Sequence, residues 1–289
     1  MKPLSDRPGE DSLRYAYYPG CTLVTTAREY DQSVREVCRK LGVELVELPD
    51  WNCCGASSGH SRDYWLSHTL TGRNLAIAEG EGLDIAVACP ACFLRLRNTQ
   101  YEFKNKAGLR EKLPSLIKLP YTARYEVRHL LDIIGNVAGA GAVGKMVVKP
   151  LTGLRVVPYY GCYLVRPPEL TGFDDPENPQ SMDNLLKALG AEVPDWGAKV
   201  DCCGGSLSFT NRDAVIRLVA GIVAAAREVE AQAVVTACPL CQVNLETRQS
   251  GENPLPVLYF TELVGLALGC DAKPWLRRHL ISPAKISRK

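Results

Sequence analysis

Ten of the twelve cysteines form one ordered pattern that occurs twice along the chain. Each copy has a lone cysteine, then Cys-Cys-Gly, then Cys-Pro-x-Cys. Thiolate sulfur is a ligand of structural zinc and of iron–sulfur clusters, and both zinc and cubane clusters typically take four ligands. The fifth cysteine of each copy therefore needs an explanation. The first set is Cys21, Cys53, Cys54, Cys89 and Cys92, and the second is Cys162, Cys202, Cys203, Cys238 and Cys241.

The adjacent cysteines of each copy restrict the kind of metal site. Neighbouring side chains such as Cys53 and Cys54 cannot readily aim at one small ion, whereas two neighbouring irons or one bridging thiolate suit them. The spacing thus favours a cluster that is larger or more open than a cubane. Structural zinc and vicinal disulfides are the alternatives, and zinc in one of the two motifs is the one that the sequence least excludes.

The elements around the cysteines repeat in the same order in both copies. A strand ends just before each lone cysteine, and a second strand leads into each Cys-Pro-x-Cys. For the first copy we predict strands at Leu13–Tyr18, Glu44–Leu48 and Asp84–Ala88 and helices at Ala27–Leu41 and Arg62–Glu79. For the second copy we predict strands at Arg155–Tyr160, around Glu192 and Val193, and at Ala233–Ala237, with helices at Met182–Leu189 and Asp213–Ala231.

Both Cys-Pro-x-Cys motifs fall where a helix is expected to begin. Pro90 and Pro239 suit the first helical position, where an N–H would have no partner within the helix. The free amide N–H groups at that end, together with the helix dipole, favour an anionic cluster. Gly55 and Gly204 would allow the backbone to approach such a cluster closely or to adopt a positive φ.

Strands that alternate with helices predict an α/β fold with right-handed crossovers. We expect two pseudo-symmetric repeats, each a small, mainly parallel sheet flanked by helices, with the cluster-binding loops at the strand ends. Residues 1–150 would form the first repeat and a linker, and residues 151–289 the second repeat. Between the copies we predict one more helix, Arg124–Val137, with a counterpart in the last helix, Thr261–Leu268.

Two segments between the copies invite other functions. Residues 139–144, Gly-Ala-Gly-Ala-Val-Gly, fit a dinucleotide-binding fingerprint, but they follow a predicted helix instead of a strand, so we expect a flexible linker. Residues 104–128 carry seven basic and two acidic side chains, which is typical of a solvated face. Docking of an acidic electron-transfer partner is the alternative for this segment.

Composition and charge exclude several classes of protein. A chain of 289 residues with 46% hydrophobic and 23% charged residues is typical of a globular protein. The net charge of +2 gives no field for nucleic acid, and no apolar run is long enough to span a membrane. The N-terminus lacks the apolar segment of a secretory signal. We therefore expect a cytoplasmic protein whose cysteines bind metal or undergo redox chemistry instead of forming disulfides.

A few side chains outside the cysteine sets could take part in chemistry. His60, which follows the first Cys-Cys-Gly, is a candidate proton donor to a departing thiolate, and an ordinary surface histidine is the alternative. Arg62 and Arg166 are candidates for contact with an anionic substrate, although solvated arginines are commoner. Packing around a cluster is expected of the tyrosines that flank the lone cysteines, Tyr18, Tyr160 and Tyr163.

The remaining cysteines and histidines lie outside both motifs. Cys38 falls in a predicted helix, and Cys270 follows the last one. Neither has a counterpart in the other copy, so we expect both to be small buried hydrophobic residues. Ordinary structural roles are expected for His68, His129 and His279.

The motifs resemble those of the B subunit of heterodisulfide reductase, a family with twin Cys-Cys-Gly domains. Tyr-Tyr-Gly-Cys162, Asp-Cys-Cys203-Gly-Gly and Ala-Cys-Pro-Leu-Cys241 carry the resemblance, which covers residues 13–269. It implies that each five-cysteine set holds one noncubane [4Fe–4S] cluster and that a disulfide or thiol substrate binds between the two clusters. Electrons would arrive through a ferredoxin-like iron–sulfur subunit from a flavin-containing subunit.

The resemblance implies the catalytic iron–sulfur subunit of a heterodisulfide-reductase-like complex, a thiol:disulfide oxidoreductase. Disulfide reduction needs two electrons and a cluster typically passes one, so two clusters facing one substrate meet the requirement without a flavin. The chain lacks the Cys-x-x-Cys-x-x-Cys-x-x-x-Cys-Pro run of ferredoxins, so the electrons must come from another protein. The alternatives are an electron-relay subunit of a respiratory or lactate- or glycolate-oxidising complex, and a zinc-stabilised assembly protein.

Overall fold

The computed structural model describes residues 13–56, 59–208, 210–251, 253–283 and 286. The strands are β1 (Leu13–Tyr18), β2 (Val43–Glu47), β3 (Ile85–Val87), β4 (Val127–His129), β5 (Val156–Tyr159), β6 (Ala233–Thr236) and β7 (Val257–Tyr259). The helices up to residue 150 are α1 (Gly20–Val24), α2 (Arg28–Lys40), α3 (Gly59–Arg62), α4 (Tyr64–Glu81), α5 (Pro90–Asn105), α6 (Ala107–Ile117), α7 (Leu130–Asp132) and α8 (Ala140–Lys145).

The helices after residue 150 are α9 (Pro168–Thr171), α10 (Ser181–Ala188), α11 (Arg212–Glu228), α12 (Pro239–Thr247), α13 (Phe260–Ala267) and α14 (Lys273–Leu276). A π turn at Ile133–Val137 follows α7, and a 3₁₀ turn at Gly205–Leu207 precedes α11. Within the described parts of the chain, no helix is both long and apolar enough to cross a membrane.

The strands form two separate sheets in which every pair is parallel. The first sheet has four strands in the order β2-β1-β3-β4, and the second has three in the order β5-β6-β7. The strands β3 and β6 are buried along their whole length, as expected when helices cover both faces of a parallel sheet. The predicted fold class, two repeats of a mainly parallel sheet flanked by helices, is confirmed.

The second sheet lacks a counterpart of β2. Where the sequence predicts a strand around Glu192 and Val193, only an isolated parallel bridge joins Arg155 to Glu192. Pro194 follows at once, and proline has no N–H with which to continue a ladder. The pseudo-symmetry of the two repeats is therefore incomplete at this edge.

Among the described residues, the larger of two hydrophobic clusters contains residues of both halves, and the smaller lies within the second half. The rings of Tyr30 on α2 and Tyr259 at the end of β7 stack with their centroids 4.0 Å apart. Beside them, the buried hydroxyls of Ser33 and Thr261 share a hydrogen bond of 2.7 Å. Residue 150 thus lies between the two sheets but does not separate two independent cores, and the division into residues 1–150 and 151–289 stays a proposal.

The segment Arg124–Val137 is not the single helix that the sequence predicts. It contains β4, α7 and the π turn, and its Val127 pairs with Ile85 on β3. The apolar residues that follow His129 fit a helical period, but the three residues Val127–His129 extend the first sheet. Short apolar runs fit a strand and a helix equally well, which is why the spacing did not separate the two. The strand β7 was missed for the same reason.

Residues 139–144 do not form a flexible linker. Most of them lie in α8, which packs against α10 with Val143 buried. A Cβ added at Gly144 would lie 3.1 Å from the carbonyl oxygen of Ala188, so this glycine permits the close approach of α8 to α10. The segment follows the π turn instead of a strand, which agrees with rejecting a dinucleotide site here.

The basic side chains of residues 104–128 are largely balanced where they lie. Lys112 lies over the ring of Trp65 at 4.2 Å. Ion pairs of 3.5, 2.8 and 2.9 Å join Lys104 to Glu126, Lys106 to Glu102 and Arg128 to Asp132. These local partners favour the solvated face over a docking surface for an acidic protein.

Candidate functional site: two cysteine pockets

The strands of each sheet bring one cysteine set together. Cys21 follows β1, Cys53 and Cys54 follow β2, and Cys89 follows β3. Because parallel strands end at the same edge of a sheet, these loops converge there. The second set follows β5, the Glu192 bridge and β6 in the same way. The chain thus forms two cysteine pockets, called here the first and the second pocket.

In the first pocket the thiols lie in contact. The Sγ atoms of Cys54 and Cys92 are 3.2 Å apart, and those of Cys53 and Cys21 are 3.8 Å apart. The backbone N–H of Gly55 points at Cys53 Sγ from 3.4 Å. Three of the five cysteines are buried, whereas Cys21 and Cys53 are exposed. The pocket therefore has a buried base and an open edge.

The second pocket repeats this arrangement. Cys203 Sγ lies 3.3 Å from Cys241 Sγ, and the N–H of Gly204 points at Cys202 Sγ from 3.3 Å. The side-chain amide of Asn244 donates to the carbonyl oxygen of Cys203 at 3.0 Å and lies 3.9 Å from its sulfur. Cys202 is exposed and Cys162 is half-buried, so this pocket also opens on the side of its lone cysteine.

The contacts between thiols shift the pKa values of neighbouring cysteines in opposite directions. Hydrogen bonds from Cys53 and then Cys92 lower the pKa of Cys54 to about 5, and the contact with Cys54 raises the pKa of Cys92 well above its usual value. In the second pocket a hydrogen bond with Cys162 lowers the pKa of Cys202 to about 6. Thiolate is the form that binds iron and zinc, so each pocket stabilises the ligand form of at least one cysteine.

Two glycines outside the sequence-predicted site make room for the sulfurs. Gly20 and Gly161 precede the lone cysteines and have φ of +71° and +67°. A Cβ at Gly20 would lie 3.2 Å from Cys92 Sγ, and one at Gly161 would lie 3.1 Å from Cys241 Sγ. Gly55 and Gly204 also have positive φ, as the sequence predicted. The repeated Gly-Cys dipeptide was the available signal for the first two.

The donor set fits an iron–sulfur cluster better than one metal ion. Among the described residues, no three or more His, Cys, Asp or Glu side chains are grouped so as to hold a single ion. The thiols meet pairwise instead, Cys21 with Cys53 and Cys54 with Cys92. Several irons, each with its own ligand, suit such pairs, and the N–H groups directed at sulfur suit an anionic group.

One tyrosine in each half supports the Cys-Cys loop. Tyr18 donates its hydroxyl proton to the carbonyl oxygen of Asn52 at 2.9 Å, and Tyr159 donates to that of Asp201 at 2.6 Å. Each acceptor is the residue just before the adjacent cysteines. Tyr159, which the sequence pattern alone did not single out, is therefore the counterpart of Tyr18. The aligned motifs Tyr-Pro-Gly-Cys and Tyr-Tyr-Gly-Cys contain the signal.

Tyr160 and Tyr163 have different surroundings. The buried hydroxyl of Tyr160 donates to Asp183 at 2.7 Å and accepts from the backbone N–H of Met182. Asp183 also forms a buried ion pair of 2.7 Å with Lys199. Tyr163 lines the second pocket. Tyr160 also lines the second pocket, and its hydroxyl in addition braces the start of α10.

The two pockets lie on either side of one buried hydroxyl. Tyr30 Oη is 3.2 Å from the carbonyl oxygen of Ala88 and 3.1 Å from that of Ala237. Each of these alanines immediately precedes a Cys-Pro-x-Cys motif. In addition, Pro90 of the first motif lines a small cavity of about 30 Å³ in the second pocket, together with all five of that pocket's cysteines. A larger depression of about 430 Å³, at residues 35–45, has no cysteine in its lining.

The other candidate residues occupy distinct environments. His60 follows the first Cys-Cys-Gly, and its Nδ1 is buried with no hydrogen-bond partner in the described part of the chain. Arg62 is exposed on α3. Arg166 is engaged by Glu177 at 2.7 Å and by the carbonyl oxygen of Pro176, so it is not free to meet an anion. Cys38 is buried in α2, outside both pockets, and burial raises its pKa to about 12.

The remaining histidines are buried and bonded. His129 Nε2 donates to the Ala88 carbonyl at 2.8 Å while its Nδ1 accepts from a backbone N–H. His279 lies between two buried carboxylates, with Nδ1 3.0 Å from Glu246 and Nε2 2.9 Å from Glu262. These hydrogen bonds raise its pKa to about 10 despite burial. The sequence contains no local signal for this pairing, because the three residues lie on separate elements.

Comparison with known proteins places both pockets in one family. The model of the cysteine-rich domain known as CCG matches residues 15–97 and 156–246, which contain all ten motif cysteines. The chain is 33% identical over 283 residues to the 8-methylmenaquinol:fumarate reductase membrane anchor subunit of Wolinella succinogenes, an alignment that covers 94% of this chain and 98% of that protein.

A second relative comes from a heterodisulfide reductase. The chain is 27% identical over 271 residues to the B subunit of the ferredoxin/F(420)H(2)-dependent CoB-CoM heterodisulfide reductase of Methanosarcina acetivorans, covering 89% of each. The crystal structure of a hypothetical protein from Helicobacter pylori shares the fold, with a TM-score of 0.73 at 13% identity; it matches 94% of this chain, which spans 53% of that one. The chain therefore belongs to the CCG cysteine-rich domain family, together with the B subunit of heterodisulfide reductase.

Proposed function

We propose that this chain is the catalytic iron–sulfur subunit of a heterodisulfide-reductase-like complex, which reduces, or in reverse forms, a disulfide bound between the two pockets. The observation that carries the proposal is the shared contact of Tyr30 with Ala88 and Ala237. The residues that lead into the two Cys-Pro-x-Cys motifs lie 3.2 and 3.1 Å from this one hydroxyl, which supports two neighbouring pockets. One substrate can then meet both pockets.

In this proposal each pocket holds a noncubane [4Fe–4S] cluster through all five of its cysteines. Iron–sulfur clusters supply one-electron transfer, and two of them match the two electrons that a disulfide takes up. The chain's own residues orient the ligands: α5 and α12 present their N-terminal N–H groups, and Gly20 and Gly161 leave space for sulfur. Zinc in one of the pockets would instead give about four irons and one zinc per chain.

The proposed reaction balances with electrons from outside the chain. The S–S bond breaks, each sulfur gains one electron and one proton, and two thiols leave. The electrons come from a ferredoxin-like iron–sulfur subunit fed by a flavin-containing subunit. His60, beside the first pocket, is the proposed proton donor to one departing thiolate.

The exposure of the cysteines supports access by a substrate and a partner. Cys21, Cys53 and Cys202 are exposed, while the cysteines at the base of each pocket are buried. All twelve cysteines are free thiols. Free thiols in this number suit a reducing compartment, so we place the protein in the cytoplasm, as one component of a complex.

A second candidate is supported by one comparison. The relative from Wolinella succinogenes is the membrane anchor subunit of a fumarate reductase, and the alignment covers 98% of it. On that basis the chain would be an electron-relay iron–sulfur subunit of a respiratory or lactate- or glycolate-oxidising complex. The two pockets would then pass electrons onward and bind no disulfide.

The test is metal analysis followed by spectroscopy of the protein purified without oxygen. Both candidates predict about eight irons per chain, from two four-iron clusters. The catalytic candidate also predicts that a thiol added to the oxidised protein changes the EPR signal. A signal indifferent to a panel of thiols and disulfides would favour the relay, and zinc without iron would contradict both candidates.

A further inference from the structure

The two pockets differ at the residue one helical turn beyond the last cysteine. In the second pocket this residue is Asn244, whose amide bonds the Cys203 carbonyl at 3.0 Å and whose oxygen accepts from Ser208 at 2.9 Å. Arg95 lies three residues beyond Cys92 on α5 and therefore on the same face of that helix as this cysteine of the first pocket. Arg95 thus occupies the sequence position that corresponds to Asn244, whose neutral amide lies in the second pocket.

Among the described residues, Arg95 has no partner of its own. It is half-buried, and it makes no hydrogen bond or ion pair with any residue for which the structure gives a position. By contrast Arg97, on the same helix, is bound by the carbonyl oxygen of Leu170 at 2.7 Å and by Glu126 at 2.9 Å. A half-buried cation without an acceptor is uncommon, because desolvation of the charge is then uncompensated.

Two further residues that could contact an anion, His60 and Arg62, lie on α3. The backbone N–H of His60 bonds the Gly55 carbonyl at 3.3 Å, which fixes this histidine next to the first Cys-Cys-Gly. Burial, and then the charge of Arg95, lower the pKa of His60, so the two groups lie close enough to interact. Its Nδ1 is covered yet has no partner in the described ranges. Arg62, two residues on, is exposed and likewise makes no ion pair there.

The acidic side chains near these groups are already engaged. Asp63 caps α4 by accepting from the Leu66 N–H at 2.7 Å. Glu102, further along α5, accepts from Tyr64 at 2.6 Å and from Lys106 at 2.8 Å. No carboxylate of the described chain therefore pairs with Arg62 or Arg95, so their positive charge stays unbalanced, whereas the lowered pKa of His60 leaves its imidazole neutral.

The charge of a bound cluster does not account for this arrangement. The second pocket has the same five cysteines, yet it has Asn244 and Ser208 in place of cations, and the exposed Asp201 beside Cys202. The described residues that line its cavity include no basic side chain; besides the cysteines they are Pro90, Tyr160, Tyr163, Gly205, Ser206 and Leu240. Only the first pocket combines thiols with uncompensated positive charge among the residues that the structure describes.

We propose that His60, Arg62 and Arg95 form a subsite that binds an anionic group, a carboxylate or a phosphate, on the part of the substrate held at the first pocket. The inference rests on the proposed disulfide chemistry and adds to it that the two halves of the substrate differ. The half at the first pocket carries negative charge, and the half at the second pocket, which is lined by apolar and neutral groups, does not. Arginine suits either anion because its guanidinium donates two parallel hydrogen bonds.

The experiment uses the full chain with its clusters assembled and two thiols of nearly equal size, anionic 3-mercaptopropionate and neutral 3-mercaptopropionamide. Each is titrated into the oxidised protein, and binding is followed by the change in the EPR and visible spectra. We expect the anionic thiol to bind about tenfold more tightly, the ratio typical of one charge-assisted contact. In Arg95→Gln this preference should disappear while the affinity for the neutral thiol stays the same.

Three further variants test this interpretation. Arg95→Lys keeps the charge and should keep part of the preference, and Arg62→Gln tests the exposed member of the subsite if Arg95→Gln loses iron. Arg124→Gln removes an exposed arginine outside the pocket and should change nothing. The subsite alone would be overturned if the native chain bound the two thiols with equal affinity. It would also be overturned if the preference for the anionic thiol persisted in both Arg95→Gln and Arg62→Gln. Failure of every thiol to perturb the spectra would overturn the proposed disulfide function with it.

Discussion

The hydroxyl of Tyr30 lies 3.1 Å from the carbonyl oxygen of Ala237, which places a side chain of the first half against the cysteine loop of the second. The same hydroxyl is 3.2 Å from Ala88, but there His129 Nε2 already donates at 2.8 Å. A hydroxyl has one proton to give, so it is directed to Ala237. Tyr30 therefore ties the two pockets together at one buried point.

Replacing Tyr30 by phenylalanine should disturb the relation between the pockets more than the fold. The stack on Tyr259 remains, but the buried carbonyl of Ala237 loses its donor, at a cost of about 1–3 kcal/mol in the free energy of unfolding. We expect iron content near that of the native chain and a changed magnetic interaction between the clusters, measured by EPR. Tyr259→Phe, which keeps the stack and loses the 3.4 Å contact of its hydroxyl with Gln242, is the control. An unchanged magnetic interaction between the clusters in Tyr30→Phe would contradict the role of this hydroxyl.

Alanine at Gly161 should damage the second pocket selectively. The added Cβ would lie 3.1 Å from Cys241 Sγ, and the φ of +67° costs a residue with a side chain about 1–2 kcal/mol. Iron should fall toward half while the spectrum of the first cluster persists. Gly141→Ala is the matched control: its Cβ meets nothing within 4 Å in α8, and the change should stabilise the protein slightly. Equal iron contents in Gly161→Ala and Gly141→Ala would contradict a role for the close approach of Cys241 Sγ to residue 161.

Removal of one ligand tests whether both pockets are needed. Cys203→Ala deletes a buried thiol of the second pocket, and we expect loss of disulfide reduction with the first cluster's spectrum largely intact. Cys38→Ala removes a buried thiol outside both pockets and should leave iron and turnover unchanged, with only a modest loss of stability. Full turnover by Cys203→Ala would refute the two-pocket mechanism.

The stability of the protein should depend on His279 in alkaline solution. Burial lowers the pKa of this histidine, but the hydrogen bonds that it donates to Glu246 and Glu262 outweigh burial and raise the pKa from 6.5 to about 10. A raised pKa means that the stabilisation is complete below pH 6.5 and is lost as the pH rises through about 10. His279→Gln leaves two buried carboxylates without their cation, which costs about 3–5 kcal/mol near neutrality.

Denaturant titrations between about pH 6 and pH 10.5, which span the ordinary and the raised pKa, would measure this dependence. The difference in the free energy of unfolding between the native chain and His279→Gln should become smaller toward high pH. A difference in the free energy of unfolding that stays constant over this pH range would show that His279 acts by packing and not by charge. His68→Gln is the comparison, because burial lowers the pKa of His68 and its replacement should not produce the same alkaline loss.

Much of the fold followed from local pattern. The strands before Cys21, Cys89 and Cys238 and the helices that begin at Pro90 and Pro239 were predicted to within a few residues, because buried strands and proline at the first helical turn have strong local signatures. The prediction of a helix around Val127 was wrong because only the pairing of Val127 with Ile85 makes this segment a strand. The strand predicted around Glu192 is reduced to a single bridge with Arg155, because Pro194 has no N–H with which to continue the pairing.

The sequence by itself determined the chemistry of the pockets: five cysteines in each of two copies, and the glycine beside each adjacent pair, are statements about order along the chain. Only the tertiary structure decided how the copies face each other. Tyr30 meets Ala237 across 207 positions of sequence, and Arg95 differs from Asn244 in having no partner among the described residues. The reason is physical: ligand type is a property of single residues, whereas the distance and charge between two pockets arise from packing of elements far apart in the chain.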